Sequence, residues 1–274
     1  MKEREKLIVV GWDFTEHAEL ALDHALFYSY QSNMKVCLVH IAKRKSDVEH
    51  LEKELAKEVH RIYQSKGKRV NMKVAFGSVS KGLKTVAEEI SAAFVFVGTS
   101  GIKGMEKLMG SYILKTIRGS EIPFIAVQGR LEKHSQFSFV CPIDSRKESK
   151  GVLYWVVYLA RIFRAKISLV YPEYENKSSL LKTKANLNFS KRYLNARQID
   201  YESAKLQANR FNDAIVNFAK NKHASLIFSI TNRQAKVQNY IATSKIQYLI
   251  ANKEKIPVLC ISPRKDLWTY GGYK

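Results

Sequence analysis

This sequence has no long apolar run, and its 25 acidic side chains are outnumbered by 46 basic ones. Its longest apolar candidate, residues 152–160, falls well short of the ~18 residues that a membrane-spanning helix requires. The charged first residues precede only a short apolar run at 7–11, which is too short for the core of a signal peptide. We therefore expect a cytoplasmic protein without a membrane span.

Cysteine is also scarce. Cys37, Cys141 and Cys260 lie far apart in apolar, strand-like segments, which fits neither a disulfide framework nor a zinc site. We predict that they are small buried residues. None of the histidines on the predicted helices has a second ligand at metal-binding spacing, so no metal site is expected.

The rest of the composition is that of a globular protein. Of the 274 residues, 46% are hydrophobic and 26% are charged. This mixture excludes wholesale disorder, and the length suits one large domain or two ordinary ones.

Internal repetition decides between these two possibilities. Four segments of the first half recur in the same order in the second half, at a nearly constant offset. The matching pairs are 7–13 with 137–144, 35–40 with 166–171, 94–96 with 226–228, and 122–127 with 256–261. The repetition predicts two tandem units, residues 1–130 and 136–274.

Each unit alternates short apolar runs with helical patterns. The runs are apolar on both faces, as expected for a parallel sheet covered by helices on both sides. Thr15 is a candidate N-cap for the first helix, and Ser46 with Glu49 forms a candidate capping box for the second. The order predicts an α/β fold with a doubly wound, five-stranded parallel sheet in each unit. Ligand sites in such sheets lie at the carboxyl ends of the strands.

A loop with several glycines follows the fourth strand of the first unit. Gly98 and Gly101 lack side chains that would keep phosphate oxygens away from the backbone N–H groups. Gly110 and Ser111 begin the next predicted helix, whose N-terminus favours anions. Asp13 ends the first strand at the same edge of the sheet. This combination predicts a nucleotide site.

These motifs resemble the universal stress protein family. The residues that carry the resemblance are Asp13, 39–41, Gly98, Gly101, 110–111 and 122–123. The resemblance extends over both units and implies a Rossmann-like fold of the adenine-nucleotide-hydrolase type, which is often dimeric. Members with the glycine motif bind ATP.

The resemblance also implies roles for individual residues. Asp13 and the backbone of Ile41 would contact the adenosine. The phosphates would be held by Gly98, Gly101, Gly110, Ser111 and Tyr112.

The spacing of the glycines departs from the family pattern. Eight residues, 102–109, separate Gly101 from Gly110, where ATP-binding members usually have nine. A residue lost from an extended loop shortens its reach by at most ~3.6 Å, whereas one lost from a helix rotates the following groups by about 100°. The sequence leaves both possibilities open.

The second unit has lost the glycine motif. Ile230 stands at the position of Gly98, Arg233 at that of Gly101, and residues 244–245 at those of 110–111. The β-branched side chain of Ile230 would obstruct phosphate. Although Asp144 matches Asp13, we predict that this unit does not bind ATP.

Positive charge is concentrated in the second half. The net charge is +6 for residues 1–134 and +15 for 135–274, and residues 177–210 are especially basic. This half could bind nucleic acid, anionic lipid or an acidic protein, or it could simply be a solvated surface.

Together these features predict a nucleotide-responsive binding module with a stress-related or regulatory role. The first unit would bind ATP with Mg²⁺ and hold no metal tightly, and the second would be its structural partner in an internal pseudo-dimer. The chain could also form a homodimer. No catalytic residue is predicted, so any ATP hydrolysis would be slow and incidental. The alternative is a scaffold that binds no nucleotide and whose basic half binds an acidic partner or nucleic acid.

Overall fold

The protein consists of two compact units. The computed structural model describes residues 6–100, 116–117, 120–132, 135–231 and 246–262. The units comprise residues 1–131 and 132–274. Each is built around a five-stranded parallel sheet, which confirms the predicted fold class.

Unit 1 winds outward in two directions from its central strand. The described elements are β1 (Leu7–Gly11), α1 (Glu16–Ser32), β2 (Lys35–Ala42), α2 (Val48–Lys66), β3 (Asn71–Phe76), α3 (Val79–Glu89), β4 (Ala92–Gly98) and β5 (Phe124–Val127). The strand order is β3-β2-β1-β4-β5. Because β2 and β4 flank β1, the winding reverses there, and ligands in such sheets bind at the carboxyl ends of the strands at this point.

The core of unit 1 lies between the sheet and its helices. Ile8, Val9 and Val10 of β1 are completely buried, as a central strand covered on both faces requires. The ring of Tyr28 on α1 packs edge-on against Phe96 of β4, with the ring centroids 5.0 Å apart. This contact holds the C-terminal half of α1 against the sheet.

The beginnings of the first two helices differ from each other. The hydroxyl of Thr15 accepts a hydrogen bond from the N–H of Ala18 at 3.3 Å, which confirms the predicted N-cap of α1. The predicted capping box of α2 is wrong. A 3₁₀ turn at Lys45–Asp47 precedes α2, so Ser46 already lies in a helical turn and its hydroxyl donates to the carboxylate of Asp47 at 2.9 Å.

Unit 2 repeats the same architecture. Its described elements are β6 (Ser138–Pro142), a 3₁₀ helix (Lys147–Val152), α4 (Leu153–Phe163), β7 (Lys166–Glu173), α5 (Lys177–Asn195), β8 (Tyr201–Gln207), α6 (Phe211–Asn221), β9 (Leu226–Ile230) and β10 (Val258–Ile261). The strand order is β10-β9-β6-β7-β8, so the first strand is again central and lies between the second and the fourth strands of its unit, as in unit 1. Phe139 and Phe228 meet in its core with ring centroids 5.9 Å apart.

All three cysteines are buried and free, as predicted. Two lie in unit 2, on β6 and β10, and one lies on β2. Burial raises the pKa of the Cys37 thiol to about 11, so this thiol is neutral at physiological pH.

Gly98 allows α1 to lie against the end of β4. A Cβ built on Gly98 would stand 2.0 Å from the carbonyl oxygen of His17 and 2.9 Å from the N atom of Ala18. Both atoms belong to the backbone of the first turn of α1 and cannot rotate away as a side chain would. The close helix packing therefore requires glycine here, independently of any ligand.

The first prediction concerns this contact. Gly98→Ala should destabilise the protein by about 3 kcal/mol, because the added methyl group overlaps fixed backbone atoms. Gly151→Ala is the matched control, since its Cβ would meet nothing within 4 Å, and it should change stability by less than about 0.5 kcal/mol. Calorimetric melting of the full chain measures both. Equal stability of the two variants would contradict this account of Gly98.

Candidate functional site

The candidate site of unit 1 lies where β1 ends between its two neighbours. β1 pairs with both β2 and β4 as far as Gly11, and the N–H of Trp12 donates one further bond to the Val39 carbonyl at 2.9 Å. The chain then leaves the sheet and turns toward α1. Because β2 continues to Ala42, a gap opens beside its carboxyl end.

His40 and Phe14 fix the path of the backbone where it leaves the sheet. The Nδ1–H of His40 donates to the Trp12 carbonyl at 2.7 Å, and since a carbonyl can only accept, Nδ1 carries the proton. Phe14 adopts a left-handed backbone with φ of 62°, which turns the chain away from the sheet. Its ring packs against that of His40 with centroids 5.1 Å apart and stays 41% exposed. The result is an accessible aromatic surface beside the gap.

Asp13 projects from the same turn. One carboxylate oxygen, Oδ1, accepts from the N–H of Thr15 at 3.1 Å and from the Thr15 hydroxyl. This contact forms a local turn that precedes α1. The side chain is exposed, and within the described ranges its other oxygen has no hydrogen-bond donor. Asp13 thus holds the turn with one oxygen and presents the other to solvent.

Ile41 reaches the gap through its backbone. The N–H of Gly77 donates to the Ala42 carbonyl at 2.9 Å on the β3 side of β2. Peptide groups alternate in direction along a strand, so the N–H and C=O of Ile41 face the opposite side, toward the space that β1 has left. The Trp12 carbonyl, which is the next ladder acceptor in line, is engaged by His40 instead. A main-chain donor and acceptor therefore lie side by side at this edge.

A buried donor near the gap lacks an acceptor. The Trp12 side chain is 3% exposed, and among the residues that the structure describes its Nε1–H has no hydrogen-bond partner. Leaving a buried N–H unpaired costs roughly 1–3 kcal/mol. This unpaired donor, which adjoins Asp13 in the chain, is of the kind that a polar ligand could satisfy.

The start of the predicted phosphate loop offers a ligand neither open space at Gly98 nor a free N–H at Thr99. The missing side chain of Gly98 faces the backbone of α1, so its absence opens no space for a ligand on that side. The N–H of Thr99 donates to the Val127 carbonyl at 2.8 Å and is not available to an anion. Gly101, Gly110, Ser111 and Tyr112 lie outside the described residues, and their assignment to phosphate stays a prediction.

Three functional candidates were missed in the reasoning from sequence, namely Trp12, Phe14 and the side chain of His40. The signal that could have identified two of them is the presence of an aromatic residue on each side of Asp13. Their arrangement depends on the left-handed backbone at Phe14, which no residue type in that segment predicts.

The corresponding turn of unit 2 is chemically different. Asp144 accepts from the Arg146 side chain, with 2.7 Å between Arg146 Nε and Asp144 Oδ2, and from the Arg146 backbone N–H at 2.9 Å. Burial by itself would lower the pKa of Arg146. The charge of Asp144, its hydrogen bond to Arg146 and the smaller effects of Glu148 and Tyr174 together outweigh burial, so the pKa is raised. The amide of Asn186 on α5 secures the turn by donating to the Asp144 and Arg146 carbonyls at 2.8 and 2.9 Å. Both carboxylate oxygens of Asp144 therefore accept hydrogen bonds from Arg146.

Comparison with known proteins identifies the class of unit 1. A sequence model described as the universal stress protein family matches residues 5–128. Unit 1 is thus a universal stress protein domain, as its motifs suggested. No curated protein matches the chain in sequence.

Solved structures extend the likeness in fold to both units. A universal stress protein from Archaeoglobus fulgidus is 14% identical with a TM-score of 0.73, and the match covers 94% of this chain and 98% of that one. A putative universal stress protein from Pseudomonas aeruginosa is 14% identical with a TM-score of 0.63, covering 95% and 93%. A universal stress protein solved in complex with cAMP is 22% identical with a TM-score of 0.36, covering 46% and 98%.

Two features are absent from the described residues. They contain no helix that is long and apolar enough to cross a membrane. They also contain no group of three or more acidic, histidine or cysteine side chains placed to hold a metal ion.

The second prediction separates the structural role of Asp13 from its charge. Asp13→Ala should destabilise the protein by about 1 kcal/mol, because the N–H and hydroxyl of Thr15 lose their acceptor. Asp13→Asn keeps an acceptor oxygen and should retain most of that stability. Melting temperatures of the two variants measure the difference. If Asn destabilised as much as Ala, the turn would depend on the charge and not on the acceptor.

Proposed function

We propose that unit 1 binds an adenine nucleotide in the gap beyond β1, with ATP and Mg²⁺ as the expected form. The observation that carries the proposal is that the exposed Asp13 carboxylate and the main-chain donor and acceptor of Ile41 belong to the carboxyl ends of two neighbouring strands. The free oxygen of Asp13 would accept a hydrogen bond from a ribose hydroxyl. The Ile41 peptide groups would pair with the edge of adenine, which offers both a donor and an acceptor.

The aromatic surface supports a planar ligand. Phe14 and His40 already pack together, and Phe14 keeps enough exposed ring area to contact a base. The orphaned Nε1–H of Trp12 adds a donor that an acceptor of the ligand, or a water bound with it, would satisfy. These features fit a nucleoside better than an apolar ligand.

The phosphates would be held by the loop after Thr99. Gly98 is covered by α1 and the N–H of Thr99 is engaged, so the predicted contacts pass to Gly101, Gly110, Ser111 and Tyr112. Mg²⁺ would arrive with the phosphates, since the described residues contain no group of three or more acidic, histidine or cysteine side chains that could hold it beforehand.

The expected role is regulatory rather than catalytic. Asp13 is the one acidic side chain of the predicted site, and it uses one oxygen to hold the turn at Thr15. Binding would instead order the segment around the phosphates and change a surface that a partner recognises. Unit 2 would serve as the structural partner of unit 1. Its basic segment places Lys177, Lys182 and Lys184 on the exposed face of α5, and an acidic partner for that face stays a prediction.

The third prediction tests nucleotide binding. At 100 times the dissociation constant, Mg-ATP should stabilise the protein by about 2.7 kcal/mol and raise its melting temperature. Asp13→Asn, which keeps the turn, should lose most of this shift, and Gly101→Val should reduce it. Asp200→Asn is the matched control, because it makes the same change at an exposed position of unit 2.

Three results would contradict the proposal. If Mg-ATP did not shift the parent protein, unit 1 would be a scaffold. An equal shift in Asp13→Asn and the parent would place the nucleotide elsewhere. An equal loss in Asp200→Asn would mean that the effect reflects overall charge.

A further inference from the structure

The two helices α4 and α5 of unit 2 lie in a segment with very few acidic side chains. Residues 149–199 include ten basic side chains and only two acidic ones, Glu173 and Glu175. The carboxylate of Glu173 is already paired with Lys205, whose Nζ lies 2.7 Å from its Oε1. The solvent side of these helices is therefore strongly positive, and a surface of one sign attracts molecules of the opposite charge.

Two contacts show which sides of α4 and α5 face each other. The ammonium of Lys150, just before α4, lies over the Phe189 ring of α5, 4.8 Å from the ring centroid. Further along, the guanidinium of Arg161 on α4 donates to the carbonyl of Arg197, just after α5, at 3.3 Å. Tyr154 lies two helical turns before Arg161 and so is on the same side of α4. This defines an α4–α5 face, whose members are Lys150, Tyr154, Arg161, Phe189, Tyr193 and Arg197.

Neutral groups hold the cations of the α4–α5 face. The guanidinium of Arg197 lies 3.6 Å from the centroid of the Tyr193 ring and donates to the Tyr193 carbonyl at 3.3 Å. A carbonyl likewise holds Arg161, and a ring holds Lys150. In the part of unit 2 that the structure describes, the ion pairs involve other residues. Rings and carbonyls fix these cations without cancelling their charge, so an anion would meet positive groups that are already in position.

Aromatic rings lie among these cations. Phe189 and Tyr193 stack, with ring centroids 6.1 Å apart and ring planes 26° apart. On α4, the Tyr154 side chain is 52% exposed, and its ring is nearly parallel to that of Tyr158, at 9°. An exposed aromatic ring can stack on any nucleic acid base, because every base has a π-face. Rings interleaved with cations that follow a phosphate backbone are typical of surfaces that bind single strands.

We propose that the α4–α5 face binds single-stranded nucleic acid. Phosphates would lie against Lys150, Arg161 and Arg197, and a base would stack on Tyr154. In a duplex the bases are stacked on one another, so a duplex could use the cations but not the ring. A helix that binds a membrane surface turns its apolar side to the lipid, whereas α4 and α5 bury theirs within unit 2. The proposal does not depend on the nucleotide site of unit 1.

The fourth prediction measures binding of the full chain to a fluorescein-labelled oligonucleotide of about 12 thymidylates by fluorescence anisotropy. Arg161→Gln and Arg197→Gln should each weaken binding about tenfold, the effect of one charge-assisted hydrogen bond. Each should also reduce the slope of log Kd against log salt concentration by about 0.7, because one phosphate contact is lost. A purely structural role of these arginines would leave that slope unchanged.

Tyr154 tests the stacking contact separately. Tyr154→Ala should weaken binding about tenfold without changing the salt slope, and Tyr154→Phe, which keeps the ring, should bind like the parent. Neither variant should alter binding of a duplex of the same length. The matched controls come from unit 1, where Arg69 lies over the ring of Tyr63 and Tyr63 is 44% exposed. Arg69→Gln and Tyr63→Ala remove the same groups and should bind like the parent.

Several results would overturn the proposal. One is a parent protein that does not bind the oligonucleotide, and another is equal binding by the parent, Arg161→Gln and Arg197→Gln. Equal losses in the unit 1 controls would reduce the effect to overall charge, and full binding by Tyr154→Ala would leave a surface for any polyanion. Binding to phosphatidylserine vesicles alone would identify a membrane surface, and displacement by polyglutamate at equal charge would identify an acidic protein as the partner. Saturating Mg-ATP at constant ionic strength should leave the affinity unchanged, and competition would place the oligonucleotide in unit 1.

Discussion

The early departure of β1 from its sheet is the constraint on which the candidate site depends. The N–H of Trp12 donates to the Val39 carbonyl and the Trp12 carbonyl accepts from His40, so both main-chain polar groups of Trp12 are used before the chain turns. If β1 ran on beside β2, its backbone would cover Ile41. Because it leaves, the same few hydrogen bonds free the Ile41 backbone and carry Asp13 to the rim.

The architecture could be predicted because it follows from patterns that burial imposes. A strand covered on both faces must be apolar throughout, and the repeat of those runs revealed two units. Asp13 follows the end of β1 and Ile41 lies near the end of β2, because such apolar runs make strand ends easy to locate, and their contact with a nucleotide stays a prediction. Features that depend on exact backbone geometry were not predictable. Ser46 does not cap α2, because it lies in the 3₁₀ turn that precedes this helix. The aromatic surface depends on the left-handed backbone of Phe14, which hydrophobic periodicity does not predict.

Gly98 shows how one residue type can have two explanations. Sequence reasoning assigned it to phosphate because glycine exposes the backbone. The structure gives the helix α1 as a sufficient reason, with His17 occupying the space that a side chain would fill. The two units diverge in a comparable way. Asp144 keeps the position of Asp13 but is bonded to Arg146, so the equivalent place in the fold now has a different local charge.

Photo-crosslinking of the full chain with 8-azido-ATP tests the central claim most directly, because the azide reports which residues surround the base. The account predicts one labelled region, within residues 12–41, from which unmodified ATP displaces the reagent. Label confined to residues 135–262, or label that ATP does not displace, would contradict a nucleotide site built where β1 leaves the sheet.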